Sequence, residues 1–256
     1  MPLPTFVILG AQKCGTSTLT ATLRQHPQVS MSRPKELHFF DRHHQRGLEW
    51  YADQFTPKPG ETAIGEATPV YLYDAEARHR MDQMLPGART VVILRDPIKR
   101  AYSHFWHSRR NEFEAVDSFE QALALEPARL ASGNRSDRIR FSYTDRGHYI
   151  DQLLAVEQAR GRDTMLVLLL DDLAGDRVPT LERLFGFIDV DPGQAATLPE
   201  RWTNRYRVAA APGAKPEPVA YPPMRPETRA MLKETFRESN DRLAAWLGRE
   251  LSWNDD

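Results

Sequence analysis

Three continuous apolar runs stand out along the chain, at Phe6–Leu9, Thr90–Leu94 and Met165–Leu170. None alternates with polar residues, and continuous runs rich in strand-forming side chains predict strands buried on both faces of a parallel sheet. Shorter strands are predicted at Val29–Met31 and within Thr62–Thr68, which stops at Pro69. Between them lie helix-period segments. Thr16–His26 ends at Pro27, Leu48–Phe55 is short and amphipathic, Ala75–Leu85 stops at Pro86-Gly87, and another helix starts at Asp96-Pro97, a capping Asp with Pro in the first turn. Arg146–Ala159, with Tyr149, Leu153, Leu154 and Val156 as packing positions, Pro179–Ile188 and Thr228–Leu247 complete the set. Strand and helix in alternation predict an α/β fold, a doubly wound parallel sheet in one domain over residues 1–256, with Thr90–Leu94 beside Phe6–Leu9. Asn111–Phe141 is polar and mixed, read as helix plus loop. Ala211–Pro226 holds six prolines and is read as irregular, either a connector or a lid.

Composition narrows the possibilities. Thirty-four Lys and Arg against 35 Asp and Glu leave a net charge of −1, so no global field favours nucleic acid or an anionic membrane, and any anion site must be local. Cys14 is the sole cysteine, which excludes an intrachain disulfide and reads as a small loop residue. The N-terminus lacks a basic leader, and no run approaches the roughly 18 apolar residues of a membrane span; the expectation is a soluble, cytoplasmic protein.

The candidate chemistry lies where the predicted strands end. Phe6–Ser17, FVILGAQKCGTS, reads as strand, Gly-bracketed loop and helix start. Such a turn converges backbone N–H groups and the helix dipole on an anion, and Thr16, Ser17 and Thr18 add hydroxyls. Gly10 and Gly15 keep the spacing of an ATP-type loop, but Thr16 holds its lysine slot and the lysine is Lys13, so the loop is read as binding phosphate differently from a Mg-ATP site. Arg33–Asp41, RPKELHFFD, is read as extended after Pro34, with Glu36, His38 and Phe40 on one face and Leu37 and Phe39 on the other. Arg95 ends the Thr90–Leu94 strand, the edge where open α/β sheets bind ligands, and Ser103 follows two helical turns on; Arg95 could instead pair with Asp96, and His38 could be a packed histidine. Arg201, Arg205 and Arg207 could reach phosphate or simply be solvated.

Three segments together resemble the sulfotransferases that use 3′-phosphoadenosine 5′-phosphosulfate (PAPS), in particular the heparan sulfate N- and O-sulfotransferases and related bacterial enzymes. The K-x-G-T-[ST] loop matches Lys13, Gly15, Thr16 and Ser17; K-E-x-H-F-F matches Lys35, Glu36, His38, Phe39 and Phe40; R-D-P-x-x-R-x-x-S matches Arg95, Asp96, Pro97, Arg100 and Ser103. The resemblance implies that Lys13, Gly15, Thr16, Ser17 and Thr18 hold the 5′-phosphosulfate and that Arg95 and Ser103 hold the 3′-phosphate. It further implies that Glu36 is the general base, that Lys13 steadies the leaving phosphate, that His38 orients Glu36 or the acceptor or shares proton transfer, and that no metal is needed. Gly65-Glu66-Ala67-Thr68-Pro69 departs from the E-K-T-P segment of related 3-O-sulfotransferases, since Ala67 supplies no cation. A small-molecule, lipid or sugar acceptor is therefore expected, with Trp106, His107 and residues 142–148 read either as acceptor contacts or equally as packing or solvent-facing residues. The alternatives are a P-loop kinase using Mg-ATP and a non-catalytic nucleotide-binding protein; nucleic-acid binding finds little support in the charge balance.

Overall fold

The computed structural model describes residues 1–203, 207–208, 217–218 and 221–254. Five strands, β1 (Phe6–Gly10), β2 (Val29–Met31), β3 (Ala63–Ala67), β4 (Arg89–Leu94) and β5 (Met165–Leu169), form one parallel sheet in the order β2-β3-β1-β4-β5. From the central β1 the chain crosses to the edge strand β2, returns to β3 between them, and then builds outward on the other side through β4 and β5. In register, Ile8 lies opposite Ala67 of β3 on one side and Val91 of β4 on the other. Alternate residues of β1 and β4 point to opposite faces, yet Phe6 to Leu9 and Val91 to Leu94 are all fully buried; both faces are covered, which is why these strands read as continuous apolar runs rather than alternating ones.

The chain divides into two compact units, Met1–Arg95 with Gln152–Thr203, and Asp96–Asp151 with Asn204–Asp256. The first holds the sheet and helices α1 (Thr16–Leu23), α2 (Gly47–Ala52), α3 (Ala75–Met84), and, further along, Leu170–Gly175 and Arg177–Phe187. One face of its sheet packs Phe6, Ile8, Val91 and Ile93 against Leu19, Leu23, Leu181 and Phe185. The second unit contains α4 (Pro97–Arg110), α5 (Phe119–Ala131), α6 (Arg135–Phe141) and a closing helix, Pro226–Leu247. Its core joins Ile98, Phe105, Phe119, Tyr143, Leu232 and Phe236. No helix among the described residues is long and apolar enough to cross a membrane.

Four expectations need correction. The helix expected from Arg146 begins at Tyr149, because Asp145–Gly147 is a 3-10 turn. The carboxylate of Glu126 accepts the N–H groups of Thr144 and Asp145 there, and a side chain at Gly147 would come within 2.6 Å of Phe236. Leu154, expected to pack, is 38 % exposed, since the inward face of that helix carries Leu153 and Val156 instead. Residues 142–148, read as acceptor contacts, include Ser142, Tyr143 and Arg146, all buried; the Arg146 side chain donates to Ser142 Oγ at 3.2 Å, and Tyr143 donates its hydroxyl to Glu114 at 2.8 Å. The Pro-rich stretch is not wholly irregular, because Glu217–Pro218 pairs antiparallel with Arg207–Val208; Arg205 lies outside the described residues, and Arg201 is exposed.

Candidate active site

β1 delivers the loop that runs from Gly10 to Gly15. Gly10 has no room for a side chain, since a Cβ would lie 2.7 Å from Leu72 Cβ, and Ala11 N–H donates to the Ile93 carbonyl at 2.9 Å, tying the loop to β4. Gly15 sits at φ 95°, in the left-handed region, and a Cβ there would meet Leu170 Cδ1 at 2.6 Å. Both the backbone and the space demand glycine. As the residue before α1, Gly15 offers no capping side chain, so the first turn presents its backbone N–H groups toward the loop. Lys13 also lies at positive φ, 70°. Thr16 is buried and its carbonyl accepts from Thr20 Oγ1, while Ser17 is half-buried. Thr18 is placed differently: its hydroxyl accepts from Thr203 N–H at 3.1 Å and lies 3.4 Å from Thr203 Oγ1. That hydroxyl ties α1 to the chain leaving the sheet.

Glu36 stands at the same sheet edge as the loop. Its N–H donates to the carbonyl of Ala67 at 3.1 Å, and Ala67 lies in register with Ile8, two residues before Gly10. The segment around it is not extended, contrary to the expectation. Glu36 and His38 both occupy the left-handed region, at φ 62° and 51°, and Phe39–His43 is a π-helical turn. Phe40, expected beside Glu36, is buried against Tyr51 and Tyr71, because Phe39, Phe40, Tyr51 and Tyr71 form an aromatic nest that pulls the chain inward. The turn still brings Glu36 and His38 together. His38 Nε2 lies 3.6 Å from Glu36 Oε2, and Nδ1 lies 2.9 Å from Asp41 Oδ2.

Asp41, whose side chain is fully buried, went unread in the sequence. It follows His38 by three positions, which share a face only if the segment is helical, so a period-two reading sends it to the opposite side. A second unread residue is Glu66, fully buried at the end of β3. Its carboxylate accepts the hydroxyls of Thr68 at 2.7 Å, Tyr71 at 2.9 Å and Tyr51. Two of those hydroxyls in turn accept the N–H groups of the active-site turn, Thr68 from His38 at 3.4 Å and Tyr71 from Phe40 at 3.3 Å.

The electrostatics follow from these contacts. Burial alone would raise the Glu36 carboxyl, but the hydrogen bond to His38 and the charge of Lys35, whose Nζ lies 2.6 Å from Oε1, outweigh it and hold Glu36 down to about 2. Burial would lower His38, yet its bonds to Asp41 and Glu36 raise it to about 9. At neutral pH the pair is therefore carboxylate and imidazolium. A folded value above the unfolded 6.5 means that His38 contributes stability in full below pH 6.5, and that this is lost as pH rises through about 9. Thermal melts between pH 6 and 9.5 are expected to decline along that window in the parent protein and to flatten in His38→Gln.

Arg95 follows the last residue of β4, at the carboxyl edge of the sheet and half-buried. In the second unit Ser103 is buried on α4, with Oγ 3.0 Å from the phenol of Tyr221, and Tyr221 stacks on Trp106 at 6.1 Å. Trp106 thus packs within its own unit. His107 lies near the end of α4, where its Nδ1 is 3.2 Å from the Asn111 amide. Among the described residues no group of three or more His, Cys, Asp or Glu side chains is placed to hold a metal ion.

A parallel α/β sheet with a glycine-built loop at the end of its central strand, and a carboxylate–imidazolium–carboxylate row beside it, defines an α/β protein of the class that binds ligands at the carboxyl edge of its strands. The chain belongs to the sulfotransferase family: the sulfotransferase domain model matches residues 3–206. It is 28% identical over 267 residues to mouse heparan sulfate glucosamine 3-O-sulfotransferase 3A1, covering 98% of this chain and 65% of that protein. It is likewise 28% identical over 268 residues to mouse bifunctional heparan sulfate N-deacetylase/N-sulfotransferase 4, covering 96% of this chain and 30% of the relative. The chain therefore spans less than two thirds of the length of these curated relatives. A crystal structure of a sulfotransferase from Alicyclobacillus acidocaldarius superposes with a TM-score of 0.79 at 28% identity, covering 99% of both chains. A mouse sulfotransferase solved with PAP, at 16% identity and a TM-score of 0.51, shares the fold.

Proposed function

We propose that residues 1–256 act as one sulfotransferase domain that moves the sulfuryl group of PAPS to a hydroxyl or amine of a small-molecule, lipid or sugar acceptor. In this reading Glu36 takes the acceptor's proton while the acceptor attacks sulfur, and the S–O bond to the 5′-phosphate breaks in line with its electron pair passing to that phosphate. Lys13 and the backbone N–H groups of Gly15, Thr16 and Ser17 meet the charge that develops there. Such preorganised donors, with positioning, supply most of the rate. Arg95, at the carboxyl edge of the sheet, takes the 3′-phosphate; the resemblance to the family gives the same role to Ser103 of α4. Thr18 acts as the anchor of its helix, because its hydroxyl already serves Thr203.

The observation that carries this reading is the placement of Glu36: it hangs from Ala67, on the strand paired with β1, and so shares the sheet edge with the phosphate loop. His38, cationic and held by Asp41, orients the Glu36 carboxylate rather than accepting a proton itself.

The experiment is a thermal-shift comparison of PAP, AMP and Mg-ATP. A ligand at about 100 times its dissociation constant adds about 2.7 kcal/mol to folding, several degrees for a chain of this size. PAP is expected to stabilise the protein, AMP far less, and Arg95→Ala to abolish the difference between them. Stabilisation by Mg-ATP in place of PAP would point to the kinase alternative.

A further inference from the structure

Both oxygens of the Glu36 carboxylate face cations. Lys35 Nζ lies 2.6 Å from Oε1, and His38 Nε2 lies 3.6 Å from Oε2. His38 is neutralised on its far side by Asp41, which also meets Arg42 Nε at 3.3 Å. Among the described residues the ion pair that Lys35 makes is the one with Glu36. The Lys35 side chain is 17 % exposed and that of Glu36 41 %, so the pair lies at the mouth of the site rather than in bulk water. A base clamped in this way has little affinity for the proton it is proposed to receive. The contact also spans adjacent residues, which Glu36 permits by adopting φ 62°.

We propose that Lys35 is a sulfuryl-binding residue that clamps Glu36 while the donor is absent and moves onto the sulfuryl oxygens when PAPS binds, releasing the base. This inference rests on the sulfotransferase reading above. The geometric argument runs through the reaction itself. The acceptor oxygen must sit within hydrogen-bond reach, about 2.6–3.2 Å, of a Glu36 oxygen, and about 3–3.5 Å from sulfur in a reactive pose. The sulfuryl oxygens are one bond from that sulfur. An ammonium already in contact with the same carboxylate therefore needs only a rotation of its flexible stem to exchange one anion for the other. The exchange conserves charge pairing: the ammonium keeps an anionic partner, and Glu36 loses one of the two cationic neighbours that suppress its proton affinity, His38 being the other. As the acceptor O–S bond forms, the acceptor proton passes to Glu36 and the S–O bond to the 5′-phosphate breaks, its electron pair passing to that phosphate. Transfer of the clamp thus couples donor occupancy to base strength, and free enzyme holds its base inactive.

The test uses the two nucleotides that differ by the sulfuryl group alone. Titration calorimetry on the full chain, without acceptor, compares PAPS with PAP for the parent protein, Lys35→Gln and Lys35→Arg. Lys35→Gln is expected to lose about tenfold or more in PAPS affinity, the worth of one charge-assisted hydrogen bond, with PAP affinity unchanged, and Lys35→Arg to recover most of the loss. Glu36→Gln, which frees the lysine beforehand, is expected to bind PAPS more tightly than the parent and PAP equally. Glu36 carboxyl resonances read by NMR should titrate higher with PAPS bound than in the free parent protein. Equal losses for both nucleotides in Lys35→Gln, or no loss for either, overturn the clamp while leaving the sulfotransferase reading intact. A parent protein that binds neither nucleotide overturns that reading and the clamp together. Circular dichroism of each variant separates these outcomes from misfolding.

Discussion

Glu36→Gln is expected to lower kcat for sulfuryl transfer by about 10²–10⁴-fold, the range supplied by a positioned general base, while the thermal shift given by PAP stays as in the parent protein. The amide matches the carboxylate in shape but carries no charge and has a single acceptor oxygen, so it frees Lys35, while the backbone link to the Ala67 carbonyl survives and the turn keeps its form. What disappears is the capacity to hold a proton. A transfer assay with labelled PAPS and any responsive hydroxyl or amine acceptor reads this directly. A kcat within about threefold of the parent value would mean that another group takes the proton.

The largest expected loss of stability comes from a residue with no place in the chemistry. Glu66→Leu removes the common acceptor of three hydroxyls from Tyr51, Thr68 and Tyr71, in a site where the carboxylate is wholly buried. Each buried hydroxyl left without its partner costs about 1–3 kcal/mol, partly offset because burying a carboxylate is itself unfavourable. Burial raises Glu66, and the three hydroxyl bonds act against that rise. A net loss of about 3–5 kcal/mol is expected, which lowers Tm by about 10 °C in a chain of this size. The damage should spread to the active-site turn, because Thr68 and Tyr71 also accept the N–H groups of His38 and Phe40. Calorimetric melting with amide exchange at residues 38–41 measures both effects. Glu66→Gln keeps an acceptor oxygen and should cost much less; a Leu variant melting within about 2 °C of the parent would show that the network is not what holds the turn.

Much of this architecture was legible in the chain. Phe6–Leu9 and Thr90–Leu94 could be read as neighbouring central strands, because a strand covered on both faces must be apolar at every position, and that constraint is local. Gly10 and Gly15 announced the loop for a related reason: one position has no room for a Cβ, and the other lies at a backbone angle that L side chains rarely adopt. Asp96-Pro97 announced a helix start, and the Asp96 side chain does accept the N–H groups of Ile98 and Lys99.

The segment after Pro34 was decided elsewhere in the fold. Its own residues fit an extended strand, yet Phe39 and Phe40 gain more by burying against Tyr51 and Tyr71, residues some 10 to 30 positions away in the chain. That gain forces the left-handed angles at Glu36 and His38 and turns Asp41 under the imidazole. The role of Glu66 was invisible for the same reason, since a lone acid in GEATP acquires meaning only when three hydroxyls from separate stretches converge on it. The sequence by itself determined the buried strands, the parallel sheet they form and the two glycines of the loop after β1, all of which depend on residue type and near-neighbour spacing. Only the tertiary structure decided how Glu36 is held, by which charges and at what acidity, because hydrogen bonding and burial are properties of groups that the chain brings together from a distance.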